Sequence, residues 1–248
     1  MVVGTCIRRW FRVEVHTVLT TGREELDRVI GGIPIPSMNL IEGENASGKS
    51  VLAQHIAYGA VRAGIGVRYI TTENTVRSLV DQMDDLGLDV WRYMLRGLFR
   101  ITAMQVKGIR WDRNIAKYYL NSLKFFISKR GAAELVVIDS LTYAITHARE
   151  KDVLSFFSDL RNMVDKDGRT FVITVHPNAV TESMLIRIRS ICDGNIRLRL
   201  QAVPGREIIR VLEVSKLRGA SKLSKGLAVF KVVPGFGIKV VPFSQVKV

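Results

Sequence analysis

Short apolar runs alternate with amphipathic stretches along most of the chain. The runs have strand length, and the one at 135–139 is almost wholly apolar, which is typical of a central parallel strand covered on both faces. They lie at 38–42, 67–71, 98–103, 135–139 and 170–176. Apolar residues between them recur at three- and four-residue spacing, which predicts helices that end near Gly64, Gly131 and Gly168. This order of elements predicts an α/β fold with a central parallel sheet flanked by helices.

The pattern changes after about residue 195. Strand-length segments follow at 195–200, 207–214, 227–233 and 237–241, with the turn signals "VPG" and "VPGFG" between them. Strands joined by turns without intervening helices predict an antiparallel extension of the sheet. The length favours one domain, which we place at 20–248. Residues 1–19 form an N-terminal extension without an assignment.

The stretch "IEGENASGKSVL" follows the first apolar run and has the spacing of a phosphate-binding loop. Glycines allow successive N–H groups to point at an anion, and the N-terminal end of the next helix adds positive potential. Lys49 can reach the β- and γ-phosphates, and the Ser50 hydroxyl can bind Mg²⁺. A glycine-rich turn before a core helix is the alternative, but it has no need of these two side chains. The predicted ATP-binding residues are Gly43, Glu44, Asn45, Ala46, Ser47, Gly48, Lys49 and Ser50.

Asp139 ends the apolar strand "LVVID". A carboxylate at the carboxyl end of a buried parallel strand can hold the magnesium shell beside a phosphate loop. Ser50 and Asp139 are therefore the predicted Mg²⁺ residues, with the metal arriving with ATP. The alternative is that Asp139 only caps the following turn.

Glu73 is the candidate for a water-activating carboxylate. Some ATPases have a glutamate directly after the magnesium aspartate, but this chain has Ser140 there. Glu73 ends the next strand after the phosphate loop, and carboxyl ends of parallel strands meet in one crevice. Alternatively, Glu73 only stabilises the start of the following helix.

His176 ends the strand 170–176 and is predicted to contact the γ-phosphate. A histidine that caps a strand for structural reasons is the alternative.

A net charge of +14 adds a hint of acidic partners such as nucleic acid or an anionic membrane face. The basic residues are scattered through alternating strands, however, and no dense run of like charge occurs.

Cys6 and Cys192 do not make a disulfide framework, so we expect buried or inert thiols. No apolar run has the length of a membrane span, and the N-terminus lacks the pattern of a signal peptide. A cytosolic location is expected.

Several motifs together resemble the KaiC branch of the RecA-like ATPases: "TTGREELDRVIGGIP", "GENASGKS", "YITTENT", "LVVIDSLT" and "SKLRGASKLSKGLAVFKV". The resemblance implies a RecA-like P-loop NTPase fold that binds ATP and Mg²⁺. It also implies that Lys216 and Arg218 of "KLRG" reach the γ-phosphate of a neighbouring subunit in a ring or filament. Without the resemblance, these two residues would be interpreted as a solvated strand end.

Within that branch, the single-domain length and the run "TTENTVRSLVDQMDDLGLDV" resemble the accessory subunits of the archaeal flagellum (archaellum) motor. This implies a partner of the motor ATPase FlaI and the membrane platform FlaJ, lying at the inner face of the membrane. KaiC proteins have two adjacent glutamates where this chain has Glu73 and Asn74. We therefore expect slow or partner-dependent hydrolysis, with nucleotide acting mainly as a conformational ligand.

Two other functions stay open at this point. A DNA-dependent ATPase like RecA or RadA needs mobile loops after the magnesium strand and the next strand, but 140–169 and 177–193 are predicted to be largely helical. A KaiC-like autokinase needs a phosphorylation segment, and none is recognisable.

Overall fold

A nine-stranded sheet forms the centre of the protein. The computed structural model describes residues 17–106, 108–129, 133–202, 208–219 and 226–241. The strands are β1 (Thr17–Leu19), β2 (Ile33–Ile35), β3 (Met38–Gly43), β4 (Val67–Thr71), β5 (Phe99–Ala103), β6 (Leu135–Asp139), β7 (Thr170–Val175), β8 (Gly194–Gln201), β9 (Ile209–Leu217), β10 (Leu227–Val233) and β11 (Gly237–Val241). The helices are α1 (Glu24–Ile30), α2 (Lys49–Arg62), α3 (Val76–Asp85), α4 (Trp91–Leu95), α5 (Arg113–Ser128), α6 (Thr142–His147), α7 (Glu150–Asp167) and α8 (Glu182–Ile191), with a 3-10 turn at Pro177–Ala179.

The strand order in the large sheet is β11-β10-β9-β8-β3-β7-β6-β4-β5. Neighbouring strands from β8 to β5 in this order are parallel, and β8 to β11 pair in antiparallel fashion. The predicted mostly parallel sheet with an antiparallel C-terminal part is confirmed. The strand β8 joins the two parts of the sheet, because it pairs in parallel with β3 on one side and in antiparallel fashion with β9 on the other.

The central parallel strands β3, β6 and β7 are buried along their whole length, so both of their faces lie in the core. On β6, Val137 packs into the core cluster that contains α2, α3 and α4, whereas Val136 and Ile138 pack into the cluster that contains α5, α7 and α8. Neither face of this strand is available to polar side chains until Asp139, where the strand ends.

Helix ends agree with the predictions where they are described. Gly168 follows α7 with a φ of 68°, and its N–H donates to Met163 and Val164 carbonyls. The caps Thr75 of α3 and Asp112 of α5 accept hydrogen bonds from backbone N–H groups of their first turns. α5 ends at Ser128, and Gly131 lies outside the described residues.

The hydrophobic pattern did not predict the small elements before the phosphate loop. β1 and β2 form a separate antiparallel pair, and α1 lies between them in sequence. Leu19, at the end of the predicted N-terminal extension, is buried in the core.

Cys6 lies outside the described residues, whereas Cys192 is fully buried and its pKa is raised to about 12 by that burial. The expected buried thiol is therefore confirmed at Cys192.

His55 links the helix after the phosphate loop to the edge strand β11. It is fully buried in α2, and its Nε2 accepts a hydrogen bond of 3.0 Å from the Ile238 N–H. Its Nδ1 has no hydrogen-bond partner among the described residues. Burial, helped by the charge of Arg23, lowers the pKa of His55 from 6.5 to about 4. His55 is therefore a neutral core residue at neutral pH.

Candidate nucleotide-binding site

A cavity of about 880 Å³ opens at the carboxyl ends of the parallel strands. This is the position at which open α/β sheets bind ligands. Its lining residues are Asn45, Ala46, Gly48, Lys49, Ser50, Val51, Thr72, Glu73, Val106, Asp139, Ser140, Thr142, Tyr143, Thr146, His176, Asn178, Ala179, Arg210 and Val232. Most of the predicted site residues are therefore brought together in one cavity.

The loop between β3 and α2 has a backbone that depends on its glycines. Gly48 has a φ of 98° and is the N-cap of α2. A Cβ at Gly43 would lie 2.4 Å from the Ser47 Oγ and 2.7 Å from the Leu198 carbonyl oxygen, so the loop folds closely on its strand. Ala46 also has a positive φ, of 60°. This tight turn brings the N-terminal end of α2 to the cavity.

The start of α2 is suited to an anion. No side chain caps it, and its first turn contains no acidic residue. The Lys49 Nζ donates a hydrogen bond of 2.8 Å to the Glu44 carbonyl oxygen at the other end of the loop. Partial burial lowers the pKa of Lys49, whereas the charges of Asp139 and Glu73 act in the opposite direction. A phosphate chain in the loop would meet this ammonium and the first N–H groups of the helix.

Asp139 is buried and accepts hydrogen bonds from three neighbouring elements. The Ser50 Oγ lies 3.1 Å from its Oδ1, which places the two predicted magnesium residues in direct contact. The Thr174 Oγ1 donates to the same oxygen at 2.7 Å, and the Tyr69 hydroxyl donates to Oδ2 at 2.7 Å. Burial and the charge of Asp139 raise the pKa of Tyr69, so its phenol remains a donor.

The hydroxyl of Ser50 and the carboxylate of Asp139 are oxygen ligands of the kind that Mg²⁺ prefers. Among the described residues, no group of three or more His, Cys, Asp or Glu side chains could hold a metal ion. Two protein ligands are the usual contribution to a magnesium ion that is also held by phosphate oxygens and water. The residues fit a metal that binds together with a nucleotide.

Glu73 lines the cavity just after β4, and its side chain is exposed. The Glu73 Oε1 accepts a hydrogen bond of 3.3 Å from the Ser140 Oγ. Ser140 directly follows Asp139, at the position where some other ATPases have a glutamate. Asn74 does not line the cavity. Its Oδ1 accepts hydrogen bonds from Gln82 and Ser78 of α3. One carboxylate therefore faces the cavity from this segment, and its neighbour stabilises a helix.

His176 lies on the wall of the cavity and also caps the turn that follows β7. It lines the cavity, and its Nδ1 also accepts a hydrogen bond of 3.3 Å from the Asn178 N–H at the start of the 3-10 turn. Its own N–H donates to the Thr142 Oγ1, which connects the ends of β7 and β6.

Lys216 and Arg218 do not line the cavity of their own chain. The Lys216 Nζ donates to the Cys192 carbonyl oxygen at 2.5 Å and to the Arg189 carbonyl oxygen at 3.3 Å, at the end of α8. This contact is favourable because a helix C-terminus attracts cations. Arg218 is exposed, and its N–H donates to the Asp193 carbonyl oxygen.

The strand register places these two residues at the end of the sheet opposite to the phosphate loop. Leu217, which lies between them in sequence, pairs with Gly194 at the start of β8. The loop instead follows Gly43, which pairs with Leu198 further along the same strand. Four residues of strand separate the two levels, which is roughly 13 Å at 3.3 Å per residue. A contact between them and a γ-phosphate requires a second chain.

Arg210 is a site residue that the sequence did not indicate. It lies on β9, lines the cavity, and its Nε donates a hydrogen bond of 2.9 Å to the Ala46 carbonyl oxygen in the phosphate loop. The ring of Phe230 on β10 lies close to Gly48. The antiparallel strands therefore support the loop from one side. Arg210 belongs to no motif, and its alternating strand gave no signal for this role.

A parallel sheet with a phosphate loop after β3 and a magnesium-type carboxylate at the end of β6 defines a P-loop nucleotide-binding protein of the RecA-like class. Residues 19–245 match the family described as "ATPase: KaiC". Over 227 residues the chain is 34% identical to the archaeal flagellar ATP-binding protein FlaH of Sulfolobus acidocaldarius, covering 92% of this chain and 98% of that protein. It is 28% identical over 228 residues to the FlaH of Methanocaldococcus jannaschii, covering 88% of this chain and 92% of that one.

A solved structure agrees with these relatives. The crystal structure of the flagellar accessory protein FlaH from Methanocaldococcus jannaschii superposes with a TM-score of 0.77 at 26% identity, covering 92% of this chain and 99% of that chain. The chain belongs to the KaiC family of ATPases and, within it, to the archaeal flagellar ATP-binding FlaH proteins. The resemblance noted in the sequence is thereby confirmed. None of the described helices is long and apolar enough to cross a membrane.

Proposed function

We propose that this chain is an ATP-binding accessory subunit of the archaellum motor, in which ATP with Mg²⁺ acts mainly as a switch. The nucleotide would control self-assembly and the binding of the motor ATPase FlaI, and the isolated chain would hydrolyse ATP slowly or not at all. The observation that carries this proposal is the contrast within the cavity. Lys49 and Ser50 are adjacent at the start of α2, and the Ser50 Oγ contacts Asp139. Among the described residues that line the cavity, Glu73 is the one carboxylate besides Asp139, and it is exposed.

Each side chain has one role in this proposal. The loop N–H groups and Lys49 bind the phosphates, and Ser50 and Asp139 hold Mg²⁺. Held by Ser50 and Asp139, Mg²⁺ would neutralise charge on the bound phosphates. Glu73 orients a water for a slow hydrolysis step. Asn74 is neutral and its amide oxygen is engaged with α3, so it adds nothing to that step.

Assembly would complete the site. Lys216 and Arg218 lie at the opposite end of the sheet from their own phosphate loop, so their role at a γ-phosphate is proposed in trans, in a ring. Of the two, Arg218 is the stronger candidate, because it is exposed whereas the Lys216 ammonium is already bonded to the end of α8. His176 is proposed to sense the γ-phosphate from within the chain.

The partners follow from the family rather than from a surface of the molecule. The FlaH relatives are named as archaeal flagellar proteins. We therefore propose FlaI and the membrane platform FlaJ as partners, at the inner face of the membrane. A basic chain with a net charge of +14 is compatible with an anionic surface nearby.

A DNA-dependent ATPase receives less support. The stretches in which such a protein places mobile DNA-binding loops are occupied by α6 and α7 after β6, and by the 3-10 turn and α8 after β7. Stimulation of turnover by single-stranded DNA, with salt-dependent binding, would favour this alternative. Phosphate detected by mass on a serine or threonine would favour an autokinase.

The deciding measurement combines ATP affinity, ATP turnover and mass in solution, with and without FlaI. Tight binding, slow turnover and a nucleotide-dependent change in assembly or in FlaI affinity would support the switch. Fast turnover by the isolated chain would contradict it and make the protein an independent ATPase.

Glu73→Gln is expected to leave ATP affinity nearly unchanged and to lower any turnover by 100-fold or more. General-base assistance contributes about 10²–10⁴-fold, and the amide cannot supply it. Single-turnover hydrolysis measured beside an equilibrium binding curve gives both values. Glu25→Gln, an exposed change on α1, is the matched control. Turnover that stays at the original rate in Glu73→Gln would place the base elsewhere.

Arg218→Ala is expected to weaken ATP-dependent self-association roughly 10- to 100-fold, as the loss of one or two charge-assisted hydrogen bonds would. ATP binding to the monomer should be nearly intact, because Arg218 is remote from its own cavity. Sedimentation at several protein concentrations measures the effect. Arg77→Ala removes another highly exposed arginine and serves as control. Assembly that is indifferent to Arg218 would remove the contact in trans from the proposal.

A further inference from the structure

Tyr69 is a buried phenol that contacts the predicted magnesium carboxylate. It lies in the middle of β4, is fully buried, and its ring packs 6.3 Å from that of Phe99. Its hydroxyl donates to the Asp139 Oδ2 at 2.7 Å. In the register of β4 and β6, Thr71 pairs with Asp139. Tyr69 is two residues before Thr71, so its side chain lies on the same face of the sheet as Asp139.

The other oxygen of the carboxylate is held from the opposite side. Thr174 on β7 is buried, and its Oγ1 donates to the Asp139 Oδ1 at 2.7 Å. The strand order places β6 between β7 and β4. Hydrogen bonds from the two flanking strands therefore reach the two oxygens, and together they fix the rotation of the carboxyl group about its Cβ–Cγ bond.

The hydrogen bonds from Thr174 and Tyr69 orient the Asp139 carboxylate in one particular way. Oδ1 is the oxygen that faces the Ser50 Oγ, at 3.1 Å, whereas Oδ2 faces Tyr69. A metal held between Ser50 and Asp139 would use the side of Oδ1. The phenol occupies the oxygen on the other side and keeps it from turning toward the loop. Partners of this kind orient metal-binding carboxylates and influence metal affinity without touching the metal.

We infer that Tyr69 is a positioning residue for Mg²⁺, which it serves by orienting the carboxylate of Asp139 toward Ser50. The inference rests on the proposed function, because it assumes that Mg²⁺ enters this site with ATP. The role is specific to the hydroxyl group, since the ring alone would only fill the core.

Tyr69→Phe isolates that hydroxyl. The Mg²⁺ concentration that gives half-maximal tightening of ATP binding is expected to rise roughly tenfold or more, as is usual when a residue that orients a metal ligand is changed. ATP affinity measured in excess EDTA should stay the same, because the loop and Lys49 are untouched. Calorimetric titration of ATP at a series of Mg²⁺ concentrations gives both quantities. Thermal unfolding without ligand reports any loss of folded protein.

A purely structural role of Tyr69 would weaken ATP binding equally with Mg²⁺ and in EDTA, or would leave both affinities unchanged. An equal loss of ATP affinity under the two conditions would therefore overturn the inference. An unchanged Mg²⁺ midpoint would overturn it as well. Tyr119→Phe is the matched control, because it removes the hydroxyl of another buried tyrosine. Within the described residues that hydroxyl donates to the Met104 carbonyl oxygen, at 3.5 Å, and not to a carboxylate. Wild-type protein that binds no ATP, or binds it without regard to Mg²⁺, would overturn the proposed site itself. A normal Mg²⁺ dependence in both wild type and Tyr69→Phe would overturn the role of Tyr69 alone.

Discussion

Replacement of Lys49 by alanine is expected to weaken ATP binding about 100-fold. The ammonium lies beside the phosphate loop, half-buried, and its loss removes charge-assisted hydrogen bonds worth up to about 3 kcal/mol. A loss of that size corresponds to about two orders of magnitude in the dissociation constant. Isothermal titration with ATP and Mg²⁺ measures it. The fold should persist, because the hydrogen bond that the Lys49 side chain makes within the described part of the chain is to the Glu44 carbonyl oxygen, at the surface of the loop.

Lys117→Ala is the matched control for this change. Lys117 is exposed on α5 and does not line the cavity, so its loss should leave the affinity for ATP as it is. The two variants have the same net charge, which excludes a general electrostatic effect of the basic protein. Retained affinity in Lys49→Ala would contradict the assignment of the phosphate loop.

The free energy of unfolding is expected to fall by about 3 kcal/mol on account of His55 as the pH decreases from about 6.5 to about 4. The pKa of His55 is depressed to about 4 in the folded protein, from 6.5 in the unfolded chain. Below pH 6.5 the unfolded chain binds a proton that the folded protein does not bind, so acidification favours unfolding. The contribution is fully present above pH 6.5 and is lost toward pH 4. Urea unfolding at several pH values measures it.

His55→Gln separates this contribution from that of the carboxylates. The glutamine amide oxygen can accept the hydrogen bond from the Ile238 N–H, but it does not titrate. The free energy of unfolding of the variant should therefore fall by about 3 kcal/mol less than that of the wild type over the same pH range. His147→Gln, at a half-exposed position on α6, should keep the steep dependence. An equally steep profile in His55→Gln would show that the pKa of this histidine is not depressed by burial.

The sequence predicted the strands of the parallel sheet closely. The run 135–139 is β6 with the same bounds, and 67–71 is β4. Strands buried on both faces leave an uninterrupted apolar signal, and it is readable without a partner strand. β1, β2 and α1 were missed because elements of three to seven residues are too short to show a period.

The sequence also predicted part of the candidate site and missed another part. Five of the eight predicted loop residues line one cavity with Asp139, Glu73 and His176, because each lies at the carboxyl end of a parallel strand. The five are Asn45, Ala46, Gly48, Lys49 and Ser50. Arg210 was missed, since its position beside the loop depends on the pairing of β9 with β8 and of β8 with β3. Such a register is set by contacts between segments that lie far apart in the chain.

The sequence by itself indicated the family and predicted the phosphate loop and the candidate magnesium carboxylate, because these depend on residue types at short, fixed spacings. Glycine conformation and strand-to-helix order are local properties, and they persist wherever the segment is placed. Only the tertiary structure decided that Tyr69 and Thr174 hold the two oxygens of Asp139 and that Asn74 turns to α3. It also placed Arg218 away from its own site. These contacts arise from strand order and register, which are fixed when the whole sheet packs its two cores.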